Sequence, residues 1–431
     1  MQHTPIPSAI PFRTLDRPAG SLLGLLAALI VIGVAAIFLS LGDTYRVWDA
    51  LLFNWLFWSS MSLGMVVLAA ALTITNAGWA WSIKRFAVGG ACFLPISFLI
   101  LPILFFGSEH YFHHWLHPDP ADHIIAAKLP WLNLPFLITR NLIGVAILYG
   151  LALAFFYYSV RPDIYGAGRE RHRGLYARIT RGWRGVPEEA ARSRYILLRL
   201  AVVLTLAYAF IWGMVAIDMA MSLEPHWFST MFPVAFFWTG FHGGVAATAI
   251  AVTLLRRHAG LQDFITMRQY HDIGKMLFAF SVFWMYLHWS QYIVIWYGLL
   301  PHEQEWFVHR FQQPFTPYVQ VVLLFCFALP FLGLLTRPPK MVPGIVAFFA
   351  GVILVGHWIE RFLLIRPSLW EHGMAYPMGL TEIGVGLGFL GLFLAAYLWF
   401  ASSFPLLPSP ASLAAQDAPV VATPATATEV H

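Results

Sequence analysis

The chain has 431 residues, 59% of them apolar and only 11% charged, where a soluble domain carries about 25% charged. That excludes a soluble enzyme and disorder over most of the length. The formal charge is +5 and the two cysteines, Cys92 and Cys326, stand alone in apolar runs, so the CxxC-type spacings of c-type haem, Fe–S clusters and cysteine-held zinc are missing.

A hydrocarbon core about 30 Å thick needs about 20 apolar residues at about 1.5 Å each. Ten runs meet that need, near residues 21–41, 51–75, 86–107, 136–160, 195–222, 228–255, 273–299, 315–336, 342–365 and 377–401. They predict an all-α polytopic membrane protein with a domain of ten transmembrane helices over 21–403. A polar lead, 1–20, comes before the first run, which is too long for a cleavable signal and has no small-residue cleavage site. The lead, the turns after spans 2, 6 and 8, and the connection after span 4 carry 18 Lys and Arg. The alternate segments carry four, Arg46, Lys128, Arg310 and Arg366. The bias predicts both termini in the cytoplasm.

In chain order, the loop after span 3 reads SEHYFHHWLHPDPADH. His110, His113, His114 and His117 follow i, i+3, i+4, i+7, so a short helix would set all four on one face. They are weak candidates for zinc or copper against an interfacial aromatic helix. The arginine-rich loop 161–194 suits anionic headgroups or a partner subunit, not nucleic acid. LFWSSMSLGMVV in span 2 and FFWTGFHGGVAA in span 6 share an FW pair and a glycine six residues after the Trp (Trp58 and Gly64; Trp238 and Gly244). Two four-helix bundles of like orientation follow, spans 2–5 and 6–9, one over about 51–160 and the other over about 195–365, with spans 1 and 10 peripheral. Chance matching of two apolar helices is the rival reading. The Ala/Pro-rich segment 404–431 reads as a disordered cytoplasmic tail.

Ionisable groups inside spans are costly unless paired or hydrated. They concentrate in the outer half: Arg140, Asp218, His288, His357, Glu360, Arg361 and Glu382, with His242 at mid-depth. His357, Glu360 and Arg361 share one helical face. Ser281, Trp284, His288, Gln291 and Tyr292 form a polar stripe on span 7 that should face the bundle interior. Three readings compete. The groups form structural ion pairs, or a proton relay or quinone pocket, or His288 and His357 hold a haem b. The relay reading takes Asp218, His242, Glu360 and Glu382 as lining the second bundle. Asp272 and Lys275, one turn apart at the start of span 7, would be a cytoplasmic intake for protons or a neutralising pair.

IDMAMSLEPHWFSTMF (Ile217 to Phe232) and HDIGKMLFAFSVFWMYLHWSQYIVIWYGLLPHEQEWFVHR (His271 to Arg310) carry a resemblance, supported by NAGWAWSIKRF, LPWLNLPFLITR and FALPFLGLLTR. Over about residues 45–400 the chain resembles the NrfD-like, polysulfide-reductase-type membrane subunits of alternative complex III, and the F-type rather than the C-type paralogue. The resemblance implies a bacterial inner-membrane subunit of a complex that oxidises a quinol, menaquinol or ubiquinol. Electrons would pass to Fe–S and molybdopterin-like peripheral subunits, c-type cytochromes and a terminal oxidase. The subunit itself would have no redox centre and no covalently bound cofactor, and would pack against the C-type paralogue with a proton path of its own. The family motif falls on Asp218, Glu224 and His226, and the span 7 start on Asp272 and Lys275. The histidine-rich loop, the arginine-rich loop, the tail and His288 depart from the family pattern. A plain membrane anchor for peripheral redox subunits and a solute transporter are the competing functions.

Overall fold

The computed structural model describes residues 9–167, 174–370 and 377–417, and every regular element among them is helical. Among the described residues nine helical stretches are long and apolar enough to cross a membrane, so the chain is an all-α, multi-pass membrane protein. The helices are α1 (Gly20–Leu39), α2 (Thr44–Ile74), α3 (Lys84–Val88), α4 (Leu94–Leu104), α5 (Leu134–Val160), α6 (Val186–Ala207), α7 (Gly213–Met219) and α8 (Phe232–His258). They continue with α9 (Met267–Gly298), α10 (Pro301–Phe311), α11 (Thr316–Leu323), α12 (Leu329–Gly333), α13 (Pro343–Ile365), α14 (Leu380–Ser403) and α15 (Pro410–Asp417). Short helices in the connections are left unlabelled. The seventh expected span is α9. It has 32 residues but is not among the nine, because the His, Gln, Ser, Trp and Tyr of its polar stripe dilute its apolar content.

Local signals set the helix ends. Asp43 accepts from the Arg46 N–H at the start of α2, and Asn133 does the same for Phe136 at the start of α5. Thr266 and Gln269 close a capping box on α9. Arg256, Arg257 and His258 end α8 where the helix dipole favours cations. The third span is broken: a 3₁₀ stretch, Gly89–Phe93, joins α3 to α4, which contains Pro102. One π turn, Tyr208–Trp212, joins α6 to α7, and another, Leu324–Ala328, joins α11 to α12. The fifth span starts at Val186, well before the expected 195, so the last part of the arginine-rich segment, 186–194, is helix.

Helix α2 is buried almost all round, and α6, α8, α13 and α14 pack on it. It crosses α8 at glycines. A Cβ on Gly64 would lie 2.0 Å from the Gly240 carbonyl oxygen, and one on Gly244 would lie 2.1 Å from the Gly64 carbonyl carbon. Small residues let backbones approach in this way where lipid supplies no hydrophobic drive. The repeat-matched glycines 64 and 244 therefore touch. Helix α1 runs along α14 at the edge through the same device, Gly33 against Gly384 and Gly388.

The expected disordered tail needs correction over its first part. Helix α15 packs on α6, Leu413 is buried, and the Leu406 N–H donates to the Arg13 carbonyl. The Ser409 N–H and the Ser412 hydroxyl both donate to Asp163 Oδ1, which accounts for the order. Residues 418–431 lie outside the described ones.

Candidate functional site

Helices α8, α9, α10, α11 and α13 enclose a cavity of about 370 Å³. Aromatic rings form a large part of its wall, including Phe236, Trp284, Trp289, Tyr292, Trp306 and Phe307. Its polar lining is short: His288, Gln291, Arg310, Glu360 and Arg361. The polar stripe of α9 faces inward as its spacing requires, with Ser281, Trp284 and Gln291 buried and His288 partly exposed.

Glu360 is the hub. Its Oε1 accepts from the Thr239 hydroxyl at 2.9 Å, and its Oε2 from Trp284 Nε1 at 3.1 Å and His357 Nδ1 at 3.0 Å. His288 Nε2 lies 3.4 Å from Oε1. The His288 Nδ1 faces the Trp284 carbonyl at 2.9 Å, an acceptor, so it carries a hydrogen. Its Nε2 and the carboxylate then face each other, and the contact is attractive only with a proton on one of them. Beyond Glu360, His357 Nε2 lies 3.1 Å from His242 Nδ1, and both rings are buried. A chain of titratable groups therefore runs from the cavity wall at His288 through Glu360 and His357 to His242. Arg361 borders it, donating to the Phe236 carbonyl at 2.8 Å and lying 3.7 Å over that ring.

Arg310 closes another part of the wall. It donates to the Leu363 and Leu364 carbonyls in the last turn of α13, to Ser368 at 2.6 Å and to Glu224 at 3.0 Å. Burial opposes the Glu224 charge, but Arg310, His309 and Ser368 outweigh it and hold the carboxyl down at about 2. Glu224 in turn raises His309 above its ordinary 6.5.

Several expected site residues lie elsewhere. Asp218 does not line the second bundle. It sits buried between α5 and α7, held by Arg140 at 2.6 and 2.7 Å and by Asn141 at 2.7 Å. Glu382 pairs with Arg46 at 2.7 Å and accepts from the Gly379 N–H at the start of α14. His226 is exposed and bonded to Asp122 at 2.5 Å. Asp272 and Lys275 pair with each other at 2.6 Å. The four loop histidines do not share one helical face, because the helix breaks at Phe112 into Ser108–Tyr111 and His113–Leu116. His110 turns to Asp49 at 2.7 Å, His117 to Glu109 at 2.6 Å, and His113 packs on the His117 ring, while burial lowers His114.

His288 and His357 do not fit a shared haem iron, since both rings bind the same carboxylate and Glu360 fills the space between them. Cys326 Sγ, His357 Nδ1 and a Glu360 oxygen lie within 4.8 Å, the one such trio found among the described residues. Their separations, 3.4 Å for Cys326 to His357 and 3.0 Å for His357 to Glu360, are those of hydrogen bonds, and a tetrahedral ion would need a further ligand. Sequence reasoning missed Arg310, Thr239 and Cys326 as site residues. Arg310 counted as a loop cation, and nothing local in the sequence marks the other two. No protein-family model matches the chain, and no curated protein matches it.

Proposed function

We propose that this chain is the NrfD-like, F-type membrane subunit of a quinol-oxidising complex of the alternative complex III type. In this reading it lies in the bacterial inner membrane with ten spans, α9 among them, in two four-helix bundles with both termini cytoplasmic. The aromatic cavity takes the ring of a menaquinol or ubiquinol. Oxidation of the quinol releases two electrons and two protons. The electrons leave for Fe–S and c-haem partner subunits, beside a C-type paralogue. A quinol hydroxyl at the wall meets His288 and Glu360, which take its proton as general bases.

The single observation that carries this reading is the cavity wall itself. Its titratable groups, His288 and Glu360, lead into a buried His357–His242 pair. A dry structural cluster has no need of an apolar chamber beside it. In the assembled complex, Glu360→Gln should lower quinol oxidation by about 100-fold, within the usual range for losing a general base, with subunit stoichiometry unchanged. A rate within twofold of wild type would end the proposal.

The anchor reading is favoured at other places by Arg140–Asp218, Arg46–Glu382 and Asp49–Arg366, ion pairs that tie helices far apart in sequence.

A further inference from the structure

A second cavity, of about 70 Å³, lies at the opposite end of α2 from Asp49, between that end, α3, α6 and the segment leading into α15. It is several times the roughly 10–15 Å³ that one water needs. Three buried donors on its wall make no hydrogen bond among the described residues: Trp81 Nε1, Arg85 Nη1 and Ser193 Oγ. Each residue is at least nine-tenths buried, at 4%, 5% and 2% exposure. Buried donors of this kind normally have a partner, and leaving one without is costly.

The charges point the same way. Lys84, Arg85 and Arg194 line the cavity against one acid, Asp163. That carboxylate is already committed. Its Oδ2 takes Arg85 Nη2, and its Oδ1 takes Ser409 and Ser412. Arg194 Nη1 is turned to the Ala415 carbonyl. The lining thus offers the Lys84 ammonium, one arm of the Arg85 guanidinium, an indole N–H and a hydroxyl. All four can donate and the set is cationic, which matches an oxyanion with several acceptor oxygens.

We infer that this cavity binds a phosphate group, carried by an anionic phospholipid. The lipid source follows from the surroundings. Leu198 lines both this cavity and a shallow surface groove of Tyr195, Arg199, Val202 and Val203. The groove continues along the exposed apolar face of α6, where an acyl chain can lie. Basic pockets between membrane helices are a recurrent way of holding anionic headgroups. The inference is independent of the quinol reading, since it uses none of the same residues.

The test uses the full-length protein, delipidated in detergent. Bound phosphorus and thermal stability are followed as phosphatidylglycerol, phosphatidylcholine or inorganic phosphate is added. Wild type should retain one phosphatidylglycerol per chain and gain several degrees in Tm, with a smaller gain from phosphatidylcholine. The double variant Lys84→Gln/Ser193→Ala keeps the Arg85–Asp163 pair and should lose at least threefold of that gain. The same gain from inorganic phosphate alone overturns the lipid as the source. Equal gains in wild type and variant, or no retained phosphorus and no gain, overturn the site.

Discussion

His357 Nε2 lies 3.1 Å from His242 Nδ1, joining two buried rings on α13 and α8. His357 Nδ1 is committed as a donor to Glu360, so neutral His357 accepts at Nε2 and His242 carries its hydrogen on Nδ1. The His242 Nε2 then remains a bare lone pair with no bond among the described residues. With the hydrogens so placed, bond exchange carries a proton from His242 Nε2 towards Glu360, and a proton delivered at Glu360 leaves towards His242 once both rings hold the opposite tautomer. Replacing His242 by Phe keeps a ring of similar size and removes both nitrogens. In the assembled complex, proton release coupled to quinol oxidation should slow at least tenfold. A pH-indicator dye in proteoliposomes reads this directly, and unchanged kinetics would make the histidine pair a packing contact.

Asp218 should behave differently. Arg140 is buried against it and stacked 4.1 Å over the Trp131 ring. Asp218→Ala leaves that guanidinium without its counter-charge, and breaking a buried pair in this way costs about 3–5 kcal/mol. The expected outcome is a large loss of folded protein in thermal melts. The molecules that do assemble should turn over at the wild-type rate. A selective loss of turnover at full stability would return Asp218 to the proton path.

The Glu224–His309 contact carries a pH dependence of known sign. His309 is raised above 6.5, so its stabilising contribution is fully present below pH 6.5 and fades as pH rises through the folded-state value. Glu224 is lowered from 4.5 to about 2, so its contribution is present above pH 4.5 and fades as pH falls towards 2. Both hold between about pH 4.5 and 6.5. His309 is 43% exposed, and screening limits its part to about 1 kcal/mol or less. The Tm difference between wild type and His309→Asn should therefore be largest near pH 5.5 and shrink by pH 8.5. A difference that grows with pH would contradict the assignment.

The crossing of α2 and α8 tolerates no side chain. Gly64→Ala places a methyl 2.0 Å from the Gly240 oxygen, and Gly244→Ala one 2.1 Å from the Gly64 carbon. Each should cost at least about 1–3 kcal/mol by overpacking. Gly150→Ala, with nothing within 4 Å, should be neutral or stabilising by up to about 1 kcal/mol. Comparative melts of the three variants decide the matter, and equal Tm values would show that the helices can part there.

What could be read beforehand was local. Apolar run length located the helices, and helical spacing put His357, Glu360 and Arg361 on one face and turned the α9 stripe inward. What could not be read was the partner of each charge. Arg140 and Asp218 are 78 residues apart, and Arg46 and Glu382 are 336 apart. No spacing rule reaches across such distances. Asp218 and Glu382 therefore looked as available for chemistry as Glu360. The difference lies in their neighbours: a bidentate guanidinium for Asp218, but for Glu360 two imidazoles, the Arg361 guanidinium at 3.9 Å and a chamber. Cys326 looked inert for the same reason, since its contact with His357 exists only once α13 lies against the π turn. The loop histidines misled because an i, i+3, i+4, i+7 pattern presumes a continuous helix, and the backbone breaks at Phe112.

The Asp163 carboxylate has a bearing on how the molecule is made. It joins Arg85, from an early membrane helix, to Ser409 and Ser412, which the ribosome adds more than two hundred residues after Asp163 itself. During translation the carboxylate waits half-partnered while all the intervening helices insert. Only the late segment completes its set of donors. A nascent chain stalled before Ser409 would thus be a recognisable unfinished product, open to quality-control proteases at this one corner, whereas release of the completed chain would seal it.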